Sequence, residues 1–362
     1  QMNNAEFFAA IKMLAKEKGI TPESLCEGIQ RAIVTVVKKD MNGKDIVFCE
    51  IDYEKQKIKI FLRKNVVEVI EDPDTDILPA EAKAYDPDAE AGGTVDIPFD
   101  TDTFSRIAAE KGKHVLRQGI GEAEKESRSQ KLLSKKQEIV TARILKIDSR
   151  TGNAIIEFDG IEETLPKSEQ LPGEFLREGE LVKVFIADLK GVDGKVSKAT
   201  VSRTHPGLVK RLFETEVPEI FEGSVEIKAV SREAGSRTKI AVISNEENVE
   251  PVGACIGPRG ARVNKIVDLL GGEKIDIIRY SEVPEDFIAE ALKPADVIKV
   301  ELSETGEKSC TVTVPENQLS LAIGNKGQNV RLAAKLTGYK IDIKADTTRQ
   351  QETSSFDYSI KF

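Results

Sequence analysis

Apolar residues over the first forty positions recur at three- and four-residue steps. Phe7, Phe8, Ile11, Leu14 and Ala15 share one face of a predicted helix, and Gly19 ends it. Thr21 and Pro22 open a second helix, Thr as N-cap and Pro in the first turn, ahead of Leu25, Ile29, Ile33 and Val36. The period then drops to two, so residues 46–53, 57–63 and 65–70 read as strands, with a turn at 52–56. From Thr101 to about residue 137 the stripe Phe104, Ile107, Ala108, Val115 and Leu116 predicts one long helix. Gly112, Gly119 and Gly121 each cost roughly 1 kcal/mol in a helix interior, which predicts a bend or break there. The charged run 122–136 has few apolar anchors and reads as a helical linker and a domain boundary.

Beyond the linker the pattern becomes five short β-like runs, at 138–147, 153–158, 161–165, 181–188 and 196–203. Turns at Thr151-Gly152 and at 191–194 separate them, and such spacing suggests a small OB-type barrel. Barrels of this kind hold single strands through exposed aromatics, but Phe158, Phe175 and Phe185 read equally well as core.

Past residue 220 the chain repeats itself. Ile256-Gly257-Pro258-Arg259-Gly260 recurs 67 residues later as Ile323-Gly324-Asn325-Lys326-Gly327. Val263 matches Val330, Leu269 matches Leu336, and Lys274-Ile275-Asp276-Ile277 returns as Lys340-Ile341-Asp342-Ile343. Each copy shows two strands (223–231 and 237–243; 297–303 and 309–314), an apolar helical piece, the G-x-x-G, a second helix and a last strand. A unit used twice implies one task done twice. Two glycines let backbone approach a phosphate without a Cβ in the way, and the following helix offers unpaired N–H groups and a positive dipole end. Arg259 and Lys326 add side-chain donors, while Ile256 and Ile323 would line a groove for bases. KH modules clamp a single-stranded backbone in this manner.

Charge narrows the picture. The chain has 362 residues and a net charge of −9, with no basic segment: residues 1–135 sum to −4, 136–200 to −2, 201–280 to zero and 281–362 to −3. Residues 71–100 hold ten acidic groups against Lys83, an excursion that is either a solvated loop or a docking surface. Bulk attraction to a polyanion is therefore not expected, and a nucleic-acid site must be local. Two such places exist. Residues 251–267 carry no acid and Arg259, Arg262 and Lys265; residues 317–341 carry no acid and Lys326, Arg331, Lys335 and Lys340. Arg232, Arg237 and Lys239 beside the first copy either touch phosphate or end solvated strands.

Enzyme chemistry finds little support. His114 and His205 are the two histidines, Cys26, Cys49, Cys255 and Cys310 show no C-x-x-C spacing, and no phosphate loop or nucleophile elbow is present. No catalytic residue, metal site or cofactor is expected. No apolar run approaches the roughly 20 residues that cross a bilayer, and no leader pattern opens the chain. The expected compartment is the cytoplasm and the expected start Met2.

The strings Val217-Pro218-Glu219-Ile220, Gly235-Ser236-Arg237-Thr238-Lys239-Ile240-Ala241-Val242 and 251–263 resemble the NusA family of bacterial transcription termination/antitermination factors. Ala322-Ile323-Gly324, residues 327–333 and, in the N-terminal part, residues 104–109 extend the resemblance to nearly the whole chain. It implies a multidomain α+β fold: an N-terminal polymerase-binding α/β domain with a long linker helix (1–135), an S-one-type OB barrel (136–203), two tandem type II KH modules (204–280 and 281–345) and a polar tail (346–362). It also implies a nonenzymatic monomer that docks on RNA polymerase core and holds nascent single-stranded RNA, with other elongation or antitermination factors as further partners and no membrane association. The expected RNA contacts are Ile256, Gly257, Pro258, Arg259, Gly260, Arg262, Lys265, Ile323, Gly324, Asn325, Lys326, Gly327, Arg331, Arg232, Arg237 and Lys239. An RNA-processing exonuclease subunit and a ribosome-associated adaptor are the competing readings. Ala142 stands where the family's barrel commonly has glycine.

Overall fold

The computed structural model describes residues 4–40, 43–99, 101–192, 195–303 and 308–346, without the side chains of 4, 6, 40, 101–112, 192 and 195. The expected stripe residues Phe104, Ile107 and Ala108, the second half of the turn at 191–194, and the tail beyond Asp346 lie outside that description. The chain forms two compact units, residues 1–134 with 191–197, and residues 135–190 with 198 onward.

In the first unit the two amphipathic segments become α1 (Asn4–Lys18) and α2 (Pro22–Asp40), the latter capped where Thr21 Oγ1 accepts from Ser24 N at 3.2 Å. Strands β1 (Val47–Asp52) and β2 (Lys57–Val66) follow as an antiparallel pair. The separate strand expected at 65–70 does not form, because β2 runs straight through 64 with no turn to break it. The acidic excursion is folded rather than a bare loop. Strand β3 (Asp76–Ile77), the short helix α3 (Pro79–Ala82) and strand β4 (Thr94–Pro98) join β2, over a small core of Val66, Ile77, Ala82, Ala89 and Val95. Lys44 Nζ, 2.7 Å from Asp72 and 2.6 Å from Asp74, neutralises part of its charge.

Helix α4 (Thr101–Leu133) is continuous, so no break occurs at its glycines. Its glycines serve packing instead. A Cβ on Gly119 would lie 2.7 Å from Ile29 Cα, and one on Gly28 would lie 2.2 Å from the Gly119 carbonyl oxygen. Helices α2 and α4 thus touch backbone to backbone, which offsets the propensity cost. Val115 is buried there, whereas Leu116, expected in the same stripe, is exposed.

The second unit opens with the barrel strands β5 (Ile139–Ile147), β6 (Ala154–Phe158), β7 (Ile161–Leu165), β8 (Leu181–Val192) and β9 (Lys195–Ser202). Their order is β7-β6-β5-β8-β9, and a Glu163 carboxylate accepting from Ala199 N at 3.0 Å helps close the gap between the two edges. Ala142, Ile144, Ile156 and Val184 fill the interior completely buried, and Phe158 is buried with them. Phe185 is buried too, stacked on His205 at 4.8 Å, while Phe175 stands 90% exposed.

Two α+β modules complete the unit. The first runs α5 (Pro206–Glu216), α6 (Pro218–Phe221), β10 (Val225–Glu233), β11 (Arg237–Ser244), α7 (Pro251–Ile256), α8 (Ala261–Leu269) and β12 (Lys274–Arg279). The second runs α9 (Pro284–Ala291), β13 (Lys299–Leu302), β14 (Ser309–Pro315), α10 (Leu319–Ile323), α11 (Gln328–Thr337) and β15 (Lys340–Asp346). In both, the first two strands are antiparallel and the third lies parallel to the middle one, the arrangement of type II KH modules. All four cysteines are free and buried, and burial pushes the Cys49 and Cys255 thiols up to about 12, in keeping with small apolar residues.

Candidate nucleic-acid interface

Each G-x-x-G joins a short helix to a longer one through the same backbone path. Gly257 sits at φ 73°, ψ 173° and Gly324 at 77°, 169°, a region essentially closed to side chains. Arg259 (54°, 26°) and Lys326 (51°, 30°) are left-handed, as are Gly260 and Gly327. Gly260 N donates to Gly257 O at 3.1 Å, and Gly327 N to Gly324 O at 3.1 Å. Two non-glycine residues held left-handed at matched positions are a strain of about 1 kcal/mol or more each. A plain helix connector has no need of it. The path instead turns both long side chains outward at the start of a helix.

The first glycine of each loop also has no room for a Cβ: it would fall 2.6 Å from Arg262 Cγ in one module and 2.7 Å from Asn329 N in the other. Arg262 and Asn329 occupy matched positions in the repeat, and both brace the helix that precedes the loop. Arg262 Nη1 donates to Ala254 O (2.6 Å) and to Glu219 (2.8 Å); Asn329 Nδ2 donates to Ala322 O (3.0 Å) and Leu292 O (2.9 Å). Burial opposes it, yet bonds from backbone and from Arg262 hold the Glu219 carboxyl below its ordinary value.

The expected contacts therefore divide. Arg259 and Lys326 are exposed at the loop tips with no ion pair among the described residues, next to exposed Pro258 and Asn325 and to Ile256 and Ile323, each 37% exposed. Lys335 and Lys340 are exposed as well. Arg262 is committed to the loop, Lys265 reaches Glu216 at 2.6 Å, and Arg331 is bound to Glu233 at 2.6 Å, which raises the guanidinium above its usual value.

Arg232 and Lys239 leave the list. Arg232 forms a fully buried pair with Glu273 (2.9 and 2.8 Å) and donates to His205 O. Lys239, also fully buried, donates to Asp276 (2.9 Å) and to Lys293 O (2.7 Å). Burial pulls its ammonium below the usual lysine value, against the pull of Asp276. Arg237 is four-fifths buried on Asp276, at 2.7 and 3.0 Å. These charges are structural because they are paired with Glu273, just before β12, and Asp276, within it, and a buried charge is tolerated when paired.

The β10–β11 turn they support is a meeting point. A Cβ on Gly235 would lie 2.8 Å from Pro172 of the barrel, and Glu233 and Ser236 bind Gln328 of the second module. Arg203, 3% exposed, ties barrel to first module through Glu174 and Leu269 O. The acidic partners Glu219, Glu233, Glu273 and Asp276 escaped the sequence reading; the recurrence of Asp276 as Asp342 was the one available hint.

With Arg262, Lys265 and Arg331 already paired, Arg259, Lys326, Lys335 and Lys340 are the cations of the two acid-free stretches that form no ion pair among the described residues. About four contacts at ~0.7 each predict a log–log salt slope near −3 for single-stranded RNA. Anisotropy titrations across a range of KCl concentrations measure it, and a slope near −10 would mean that bulk charge does the holding.

Among the described residues no cluster of three or more His, Cys, Asp or Glu is placed to hold a metal ion, and no helix is long and apolar enough to cross a membrane. Family models match over residues 6–126 (NusA N-terminal domain), 203–280 (NusA-like first KH domain) and 284–351 (NusA-like second KH domain). Proteins named transcription termination/antitermination protein NusA are similar along almost the entire chain. That of Halalkalibacterium halodurans is 44% identical over 96% of this chain and 90% of its own length. The Bacillus subtilis protein is 42% identical over 96% and 93%, and the Thermus thermophilus protein 39% over 99% and 93%.

Proposed function

The chain belongs to the NusA family of transcription termination/antitermination proteins, and on that premise we propose that it is a nonenzymatic, RNA-binding elongation factor of the cytoplasm. Residues 1–135 dock on RNA polymerase core; the barrel (136–203) and the KH modules (204–280 and 281–345) hold the emerging RNA. Pausing, intrinsic termination and antitermination change because RNA is held at its exit, without any bond being made or broken by this chain.

The observation that carries the reading is the pair of G-x-x-G loops with matched dihedral angles and unpaired cations at their tips. Within each loop Ile256 to Gly260, and Ile323 to Gly327, form the phosphate-facing edge, with Arg259 and Lys326 as donors. Arg262 supports the first loop from beneath. Likeness over 96–99% of this chain to proteins named for transcription termination and antitermination weighs against an exonuclease subunit.

In vitro transcription tests this directly. The chain should be retained on immobilised polymerase and should alter dwell at a hairpin pause and read-through at an intrinsic terminator. Labelled RNA incubated with the chain and phosphate should keep its length. Shortened RNA would support the exonuclease reading, and failure to associate with polymerase would leave the adaptor reading.

A further inference from the structure

The two clamps are not supported alike. In the first module Arg262 braces its loop with partners from that module, Ala254 O and Glu219. In the second, Asn329 has a brace that leads back into the first. Asn329 Nδ2 reaches Ala322 O, just ahead of the loop, and Leu292 O. The next carbonyl along, that of Lys293, receives the Nζ of Lys239 at 2.7 Å, and the same ammonium is held by Asp276 of β12 at 2.9 Å. Asn329 is fully buried and its Oδ1 has no partner among the described residues, so its two amide bonds set its orientation. The loop lies directly on it, since a Gly324 Cβ would be 2.7 Å from its backbone nitrogen.

We propose that Lys239, a residue of the first KH module, is a positioning residue for the RNA clamp of the second. The strands that carry Lys239 and Asp276 also carry Ala241 and Ile278, which share an apolar core with Leu292 and Ala295 of the second module. A buried ion pair adds little net stability over well-packed apolar groups, and with Lys239 replaced Asp276 would still be paired by Arg237 at 2.7 Å, so stability alone does not call for the lysine. An ammonium does what an apolar chain cannot: it fixes the direction of the Lys293 carbonyl, and with it the segment whose Leu292 carbonyl orients Asn329. The chain Asp276–Lys239–Lys293–Leu292–Asn329–Ala322 is continuous in hydrogen bonds and backbone from one module's third strand to the other's loop.

The inference rests on the RNA-binding reading, and its test separates the two. Lys239→Met is made in the intact chain in two backgrounds: Pro258→Asp with Arg259→Asp, where the second clamp alone grips, and Asn325→Asp with Lys326→Asp, where the first alone grips. RNA affinity should fall about tenfold in the first background and less than twofold in the second. A merely structural lysine would weaken the module it belongs to, so the opposite ordering, equal losses, or a Lys239→Met chain that fails to fold would each overturn the proposal. Amide hydrogen exchange gives an arm without RNA. Exchange at residues 324–330 should quicken in Lys239→Met while 257–263 stay as they were, and an unchanged pattern at 324–330 would also overturn it. Were the unsubstituted chain to bind no RNA, the functional reading alone would fall and the exchange arm would still decide this one.

Discussion

Replacing Pro258, Arg259, Asn325 and Lys326 together by aspartate is expected to lower affinity for single-stranded RNA by at least about a hundredfold and to leave the fold intact. Four carboxylates would stand where phosphates are to sit, each pair at the start of a helix, and two unpaired cations would be gone. Loss of a charge-assisted donor and the new repulsion together cost roughly 2 kcal/mol per module, about thirtyfold each. A strand held by both clamps loses more from the pair than from either one, because the second contact is made intramolecularly.

The fold should survive for a specific reason. Arg259 and Lys326 already occupy left-handed backbone, and aspartate enters that region more readily than arginine or lysine. All four side chains are exposed, and the glycines and the braces Arg262 and Asn329 are untouched. Circular dichroism melts should superimpose on those of the unsubstituted chain, and retention on polymerase should persist. Unchanged RNA affinity in the folded variant would reduce the loops to helix connectors.

How much of this was legible in the chain depends on how local each determinant is. The loops could be read because the glycines that set their backbone path stand together in the chain and the same pentad occurs twice, although the partners that brace them from Glu219 and Leu292 do not. The roles of Arg232 and Lys239 could not. A cation on a strand looks the same whether solvated or buried until its counter-ion is known, and Glu273 and Asp276 lie 41 and 37 residues away. Similarly, the acid-free windows overstated the free charge at the first clamp, since Glu216 and Glu219 reach in from α5 and α6. Strand β4 was hidden because its short alternation, buried Val95 and half-buried Ile97 among polar neighbours, lies in an acidic, proline-rich stretch.

Gly119 shows the same limit with a consequence that can be measured. Helix propensity alone says that Gly119→Ala and Gly121→Ala should each stabilise α4 by about 1 kcal/mol. Packing says that the signs differ. A Cβ at 121 meets nothing within 4 Å, so Gly121→Ala is expected to stabilise the N-terminal unit by roughly 0.5–1 kcal/mol. At 119 the new methyl would fall 2.7 Å from Ile29 Cα and 2.8 Å from Ile29 N, backbone atoms that cannot rotate aside. The helices must separate, and overpacking of this kind costs about 2 kcal/mol, which outweighs the propensity gain. Gly28→Val should be worse, near 3 kcal/mol or above, because its Cβ would meet the Gly119 carbonyl oxygen at 2.2 Å and the branched side chain adds bulk. For a unit of this size a net loss of about 1 kcal/mol at 119 and about 3 kcal/mol at 28 corresponds to melting temperatures lower by roughly 4 °C and 12 °C. Scanning calorimetry of the intact chain should show the N-terminal transition moving alone, with RNA affinity unaltered. A Gly119→Ala chain as stable as Gly121→Ala would mean that α2 and α4 do not meet through their glycines.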